Sequence, residues 1–105
     1  ETALMAAANN GHERVVDLLI RRGAKVNVQD SEGLTALMCA ASNGCEQVVE
    51  LLSRHGAEVD LQSSNGHTAL MFAADYGHER VSELLLRHGA EVNLQRSDGS
   101  TALMR

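Results

Sequence analysis

Hydrophobic and polar residues alternate along the chain in short segments that fit the spacing of a helix. In the middle of the chain, Leu37, Ala40 and Ala41 lie three or four residues apart, and a second apolar stripe runs through residues 48–52. Gly44 separates the two segments, and Gly56 follows the second. This pattern predicts a pair of short helices, each with one apolar face, that ends at a glycine.

The same pattern recurs with a fixed period of 33 residues. The tetrapeptide Thr-Ala-Leu-Met begins at Thr2, Thr35, Thr68 and Thr101, so each copy follows the last by the same step (35−2, 68−35 and 101−68). A constant period of this length is typical of stacked structural repeats. Because each unit of a stack contacts only its neighbours, the sequence predicts one elongated domain without a single central core.

Local signals place the elements of each unit. The residues from Asp30 to Gly33 have the chemistry of a turn, and the hydroxyl of Thr35 can cap the helix that follows. Helices are therefore expected near residues 35–42, 46–54, 68–75 and 79–87, with an earlier outer helix within residues 11–22. The apolar residues of that earlier helix are expected to face inward: Val15, Val16, Leu18 and Leu19.

A set of constant residues characterises the unit. In the second unit these are Gly33, Thr35, Leu37, Ala40, Ala41, Gly44, Val48, Val49, Leu51, Leu52, Gly56, Ala57 and Val59. With its counterparts over the whole chain, this set resembles the ankyrin repeat family. The resemblance implies an all-α repeat solenoid in which each repeat is a β-hairpin or turn plus two antiparallel helices. It divides the chain into repeats at residues 1–29, 30–62 and 63–95, with the start of a fourth at residues 96–105.

The chain departs from the family pattern at one place in each unit. The family usually has Thr-Pro-Leu-His where this chain has Thr-Ala-Leu-Met, and the chain contains no proline. Alanine is a good helix former, so its cost at the first helical turn is small. We expect the four methionines to serve as flexible apolar filler between units: Met5, Met38, Met71 and Met104.

Composition and charge narrow the range of partners. The net charge of −5 argues against binding of nucleic acid or anionic membranes. No apolar run reaches the length of a transmembrane helix. Cys39 and Cys45 lack a CxxC spacing, which favours reduced thiols and an intracellular protein, first of all in the cytoplasm with the nucleus left open.

The chain begins and stops within a unit, so we expect it to be a segment of a longer array. An interior unit exposes an apolar seam when its neighbour is absent. Seams near Leu4, Ala7 and Leu103 are therefore expected to drive weak head-to-tail self-association.

Charged residues of the outer helices recur in every unit and are expected to maintain a solvated face. Acid and base are paired at i,i+4 in the order that favours a helix: Asp17/Arg21, Glu50/Arg54 and Glu83/Arg87. Glu13, Glu46 and Glu79 lie in the first helical turn, where the helix dipole favours a negative charge.

Recognition is expected at positions that differ between units, because the fold fixes the constant ones. Such positions lie at the hairpin tips and along one side of the inner helices, and together they make a concave strip. Ankyrin repeats generally bind proteins through this strip, so the resemblance implies a protein partner of unknown identity. The candidate partner-binding residues of the concave strip are Glu32, Leu34, Ser42, Asn43, Asn65, His67, Phe72, Asp75, Tyr76 and Asp98.

The third unit carries the single phenylalanine and the single tyrosine of the chain. Phe72 and Tyr76 are expected on the concave strip together with His67 and Asp75. Aromatic residues are common hot spots of binding, so this unit is the expected energetic centre. The alternative is that Phe72 is partly buried between units and that Tyr76 covers a loop.

Catalysis and the binding of a metal or cofactor find no support among the residues present. The chain has no phosphate-binding loop and no Ser-His-Asp or Cys-His order that such a fold could bring together. His12 and His78 each follow a glycine at a family-typical position and are expected to be structural. His55 and His88 are one repeat apart, about 10 Å, which is too far for one metal ion. We therefore predict a protein that is not an enzyme and needs no cofactor.

Two further roles stay open. The stretch before Asn93 resembles the pattern that an asparaginyl hydroxylase recognises in ankyrin hairpins, with an acid two residues before and an aliphatic residue one before. Asn27 matches less well because Lys25 replaces the acid. The simpler interpretation is that both asparagines only form hydrogen bonds within the hairpin. The other role is that of an architectural spacer within a longer ankyrin scaffold.

Overall fold

The computed structural model describes residues 2–94 and Thr101. Six helices occur in this part of the chain, in three pairs: α1 Ala3–Asn9, α2 Glu13–Arg21, α3 Ala36–Ser42, α4 Glu46–Arg54, α5 Ala69–Asp75 and α6 Glu79–Arg87. They begin and end within two residues of the positions that the periodicity predicts. Residues 2–94 contain no β-strand, so turns connect the helix pairs. The predicted all-helical repeat array is confirmed.

Two layers of helices make up the array. The inner helices α1, α3 and α5 form one layer, and the outer helices α2, α4 and α6 form the other. The helix α3 contacts both α1 and α5, the helix α4 contacts both α2 and α6, and each inner helix contacts the outer helix of its own unit. The core therefore runs along the whole stack between the layers instead of gathering at one centre.

Each inner helix begins at a threonine cap. The backbone N–H of Met38 donates to Thr35 Oγ1 at 3.2 Å. The equivalent bonds from Met5 and Met71 to the threonine hydroxyls of their own units measure 3.1 and 3.3 Å. The hydroxyl satisfies a backbone donor that has no partner inside the helix. The predicted caps are confirmed in the three units that the structure describes.

Methionine contributes to the core of each unit that the structure describes. Met5, Met38 and Met71 are at most 2% exposed and belong to one continuous apolar core. Alanines belong to the same core, and Ala40 and Ala41 are fully buried. Their burial confirms that these three methionines are core residues, while Met104 lies outside the described residues.

The outer helix of the first unit is less buried than its sequence predicts. Val15 and Leu18 are 45% and 50% exposed, so the expectation that they face inward was wrong. Their equivalents one unit later, Val48 and Leu51, are buried and half-buried, and there α4 has α2 as a neighbour. Within residues 2–94, α4 is the one outer helix that packs against α2, so the opposite side of α2 faces solvent.

The expected seam at the inner helix α1 was also wrong. Leu4 and Ala7 are 3% and 6% exposed and lie in the core. The helix α1 packs against both α2 and α3, and these two neighbours are sufficient to cover its apolar residues. Leu103 lies outside the described residues.

The turn tips stack directly on one another. The carboxylate Oδ1 of Asp30 accepts hydrogen bonds from the backbone N–H groups of Glu32 and Leu34, both at 2.9 Å. The N–H of Ser64 in the next turn donates to the Glu32 carbonyl at 2.9 Å. Gly33 has a φ of +78°, and a Cβ at this position would lie 2.8 Å from the backbone nitrogen of Ser64. Only glycine fits both the backbone conformation and this close approach.

Ion pairs form on the outer helices. Two of the predicted pairs form, Arg21–Asp17 at 3.1 Å and Arg54–Glu50 at 2.9 Å. The predicted pair of Glu83 with Arg87 was wrong among the described residues. Glu83 lies 3.4 Å from Arg80 instead, and Arg80 also approaches Glu46 of the preceding unit at 3.6 Å. Arg80 thus lies between two carboxylates, and Glu83 pairs with Arg80 instead of with Arg87.

Candidate functional site

The predicted concave strip, called the concave strip below, consists of turn tips and one side of the inner helices. Its exposed members are Glu32, Asn43, Asn65, Asp75 and Tyr76, and its half-buried members are Leu34, Ser42, His67 and Phe72. Asp98 lies outside the described residues. Because the inner helices lie side by side, residues that are 33 positions apart in the sequence become neighbours in space.

An aromatic corner occupies the third unit. The rings of His67 and Phe72 stack with their centroids 5.2 Å apart and an angle of 27° between their planes. Phe72 is half-buried and packs against the core, as the alternative interpretation held. Tyr76 follows one turn later at the end of α5 and is 64% exposed, so its ring belongs to the surface.

Two predicted members of the strip also contribute to the fold. The Ser42 hydroxyl donates to the carbonyl of Cys39 at 3.1 Å, within its own helix. Leu34 packs against the apolar core beside the turn. Neither side chain is available in full to a partner, because part of each is already occupied within the chain.

Asn43 forms hydrogen bonds between the first two units, a role that the comparison of the units in sequence missed. Its amide Nδ2 donates to the backbone carbonyl of Asn9 at 2.9 Å and to the side-chain oxygen of Asn9 at 2.6 Å. The Asn9 carbonyl lies at the end of α1, where the helix leaves acceptors without an internal partner. The amide of Asn43 therefore completes the end of the neighbouring helix.

His78 performs the same task at the next junction. Its ring Nε2 lies 2.9 Å from the carbonyl of Ser42, which is the equivalent of the Asn9 carbonyl one unit later (42−9 = 33). Because a carbonyl only accepts, the proton is on Nε2. The ring packs on Gly44, where a Cβ would lie 2.8 Å from the ring nitrogen Nδ1. The structural role expected of His78 follows from this bond.

Because His78 satisfies the Ser42 carbonyl, the position equivalent to Asn43 in the third unit has no such task. Tyr76 occupies that position and is exposed. The three units thus hold Asn10, Asn43 and Tyr76 at one place on the inner helix. The amide of Asn10 donates to the carbonyl of Ala6 at 3.0 Å, so the first two units use the position for backbone hydrogen bonds.

Cys45 stands where the third unit has His78. Its sulfur lies 4.0 Å from the carbonyl of Asn43 and packs beside Gly11. Burial raises the pKa of the Cys45 thiol, so the group is protonated at neutral pH. A thiol is too short to reach the helix end that the histidine reaches, and Asn43 makes that bond in its place.

Asn27 joins two turns across a unit boundary. Its Nδ2 donates to the carbonyl of Gly56 at 3.0 Å, and its Oδ1 accepts from the N–H of Glu58 at 2.7 Å. At the next boundary, Asp60 Oδ1 accepts from the N–H of Glu91 at 2.9 Å. The bonds of Asn27 therefore lie between units and not within one hairpin. Asn93, at the same position in the third unit, is exposed.

On the outer side of the array, polar and charged side chains also connect the second and third units. His88 Nε2 lies 3.1 Å from Glu50 Oε1, and Arg54 lies on the other oxygen of the same carboxylate. The hydrogen bond from His88 is the main cause that lowers the pKa of Glu50, and Arg54 contributes further, against an opposing effect of burial. Glu50 is therefore a carboxylate that the next unit helps to keep ionised.

The formal charges are sorted between the two sides of the array. The arginine residues of the described chain lie on the outer helices or directly after them, and Lys25 lies four residues after the end of α2: Arg14, Arg21, Arg22, Lys25, Arg54, Arg80 and Arg87. Among the described residues, the turn tips and inner helices carry only carboxylates as permanent charges: Asp30, Glu32 and Asp75.

The described residues offer no metal site and no membrane span. In residues 2–94, no group of three or more His, Cys, Asp or Glu side chains could hold a metal ion. The six helices of this part are seven or nine residues long, and none is long and apolar enough to cross a membrane.

Comparison with known proteins identifies one family. The family model described as "Ankyrin repeats (3 copies)" matches residues 1–63 and again residues 55–105. The two matches together span the chain and overlap at residues 55–63. A comparison with curated proteins gives no significant match.

Proposed function

The chain belongs to the ankyrin repeat family, and from that premise we propose that it binds a protein partner through the concave strip. Ankyrin repeats are generally protein–protein interaction modules and are typically not enzymes. Most constant residues of the three units are at least half-buried or form caps and turns, with Val15 and Leu18 of the first unit as exposed exceptions. The candidate residues that differ between units are exposed or half-buried where the structure describes them, and we assign recognition to these residues.

The observation that carries the proposal is the exposure of Tyr76. The other large apolar side chains exposed in the described chain are Val15, Leu18, Val28 and Leu86, and none of them lies on an inner helix. An aromatic ring at the surface costs solvation energy unless a partner covers it, and tyrosine is enriched at hot spots of binding. His67 and Phe72 extend the same surface toward the turn tips.

Replacement of Tyr76 with Ala tests the proposal. Partners retained by the immobilised chain are identified by mass spectrometry, and the affinity of the main one is measured by calorimetry. We expect Y76A to weaken binding by about 2 kcal/mol, roughly thirtyfold. Unfolding in urea should change by less than about 0.5 kcal/mol, because the side chain is exposed. Replacement of Leu86, exposed on the outer side, with Ala is the matched control and should leave affinity unchanged.

An architectural spacer is the alternative function. A spacer predicts that reversal of the exposed charge at Glu32 changes nothing in a pull-down, and an interaction site predicts that it does. Asp98 is the second position for the same reversal. If E32K, D98K and Y76A each leave the pull-down unchanged, the result favours the spacer.

We further propose that Asn93 or Asn27 is hydroxylated. The contacts favour Asn93 over Asn27 as the site. Both the amide nitrogen and the amide oxygen of Asn27 bond to the next unit, so a hydroxylase would have to break those bonds to reach it. Asn93 is exposed and has the better sequence match. Intact mass after incubation with an asparaginyl hydroxylase decides the matter, and an unchanged mass rejects it for both residues.

A further inference from the structure

The surface around Tyr76 indicates the chemistry of the partner, an inference that rests on the proposed function. Asp75 and Tyr76 are both exposed at the end of α5, and Phe72 lies one turn earlier on the same side. No lysine or arginine lies on the inner helices or turn tips within residues 2–94. On the part of the strip within residues 2–94, a cation that approaches this surface therefore meets carboxylates and aromatic faces without an opposing lysine or arginine.

Comparison between units shows that this surface is an addition to the fold. The first two units have Asn9–Asn10 and Ser42–Asn43 where the third has Asp75–Tyr76. In those units the amides of Asn10 and Asn43 bond to helix carbonyls. In the third unit His78 makes the bond between units, and the freed position holds an exposed ring beside a carboxylate.

We propose that Phe72, Asp75 and Tyr76 receive an arginine side chain of the partner protein. A guanidinium group is planar and weakly hydrated, so it stacks on an aromatic face and bonds to a carboxylate at the same time. His67 stacks on Phe72, and the exposed ring of Tyr76 follows one helical turn after Phe72. Lysine has a compact, strongly hydrated charge and gains less from the two aromatic faces. The partner segment is therefore basic, with arginine at the position that meets the third unit.

The overall charge of the strip supports the same partner. Glu32 is exposed at a turn tip on the same strip, and the net charge of the chain is −5. Complementary charge mainly accelerates association and suppresses wrong partners. A basic segment that extends from the third unit toward the turn tips would meet carboxylates at both ends.

A peptide of sequence Gly-Ser-Gly-Arg-Gly-Arg-Gly-Ser-Gly is the probe for this proposal. Titration into the isotope-labelled chain, followed by amide NMR shifts, should perturb the second half of α5 and the turn at residues 63–67. The peptide with lysine in place of arginine should bind about threefold more weakly, and a peptide with glutamate should give no shifts there. The interaction should weaken as salt is added.

Variants taken from the other units keep the fold intact. D75N and Y76N introduce the residues that the first unit already holds at Asn9 and Asn10. We expect Y76N to weaken binding of the arginine peptide about threefold and D75N about tenfold. E83Q removes the same charge from the outer side and should have no effect, which separates a local site from the net charge.

The proposal is overturned if the arginine peptide leaves α5 unperturbed, or if D75N and E83Q weaken binding equally. Failure of this inference is distinct from failure of the proposed function. A partner that Y76A releases but that binds D75N normally and is insensitive to salt would retain the concave strip as the binding site and reject arginine recognition. A chain whose partner is retained by Y76A would reject the strip itself.

Discussion

Single residues set the spacing between neighbouring turns. Gly33 adopts a positive φ and also lets the backbone of Ser64 approach closely. Gly23 has a φ of +90°, but nothing lies within 4 Å of the position where its Cβ would be. A side chain at Gly23 would therefore meet backbone strain alone, whereas a side chain at Gly33 would meet both strain and steric contact.

This comparison predicts unequal costs for two glycine substitutions. G23A should lose about 1–2 kcal/mol of unfolding free energy, the usual strain of alanine in the left-handed region. G33A should lose at least twice as much, because its methyl group also meets backbone atoms that cannot rotate away. Urea unfolding of both variants measures the difference, and equal losses would show that the turns adjust without cost.

The carboxylate of Glu50 gives a prediction on pH. Its pKa is lowered in the folded chain, mainly by the hydrogen bond with His88. The folded state thus holds its proton less tightly than the unfolded state, so this group adds stability above its unfolded pKa of about 4.3. That contribution is lost as the pH falls through the lower, folded pKa.

The pH effect is measured by NMR titration of the Glu50 carboxyl group. H88Q should move the pKa of Glu50 upward toward its ordinary value, since the principal cause of the shift is removed. Urea unfolding between about pH 3 and pH 6 should show a weaker rise of stability with pH in E50Q than in the native chain. An unchanged Glu50 pKa in H88Q would mean that the bond does not persist in solution.

At the scale of helices, the ends of α1 and α3 are completed in two different ways. Asn43 reaches the end of α1 from its own inner helix, and His78 reaches the end of α3 from the start of the next outer helix. The first junction uses Asn43 because Cys45 stands at the position of His78, and its thiol cannot replace the imidazole. One histidine therefore determines which residue types the neighbouring inner helix can carry.

Replacement of Cys45 with His tests this exchange. The imidazole should pack on Gly11, as His78 packs on Gly44, and donate to the Asn9 carbonyl. We expect C45H to stabilise the chain by about 1 kcal/mol, the usual net value of one added hydrogen bond.

A double-mutant cycle with Asn43 measures the coupling. N43A should cost about 1–2 kcal/mol in the native chain and clearly less in the C45H background, where the carbonyl keeps a donor. Equal costs in the two backgrounds would mean that the histidine bond does not form. Thermal or urea unfolding of the four proteins is sufficient.

At the scale of the whole molecule, the stack has an apolar surface on its first outer helix. Val15 and Leu18 are the exposed members, in place of the buried Leu4 and Ala7. One unit later, the equivalent surface of α4 is covered by α2. Weak head-to-tail self-association thus stays a prediction, but its contact moves from the inner helix to the outer one.

L18E should abolish this association. Light scattering across a wide concentration range should show a rising mean mass for the native chain and a constant monomer mass for L18E, because a buried charge opposes packing of α2. Its unfolding free energy should change by less than about 0.5 kcal/mol, since Leu18 is half-exposed. N65E adds the same charge at a turn tip and should still associate. A native chain that is strictly monomeric removes the prediction.

The sequence by itself determined the period, the six helices and their threonine caps. These features depend on local chemistry: apolar residues at helical spacing, a hydroxyl before the first turn and glycine after the last. It also placed Tyr76 and Phe72 on the side that varies between units. The candidate partner-binding residues come from the same comparison and stay a prediction.

Only the tertiary structure decided how equivalent residues differ in environment. Val15 and Val48 occupy the same position in their units, yet one is exposed and the other buried, because only the second has an outer helix on both sides. The tasks of Asn43 and His78 likewise depend on which side chain can reach a carbonyl 34 or 36 residues away. Periodicity predicts that units stack, but burial and hydrogen bonding are properties of the junction between two units, and each junction here has its own residues.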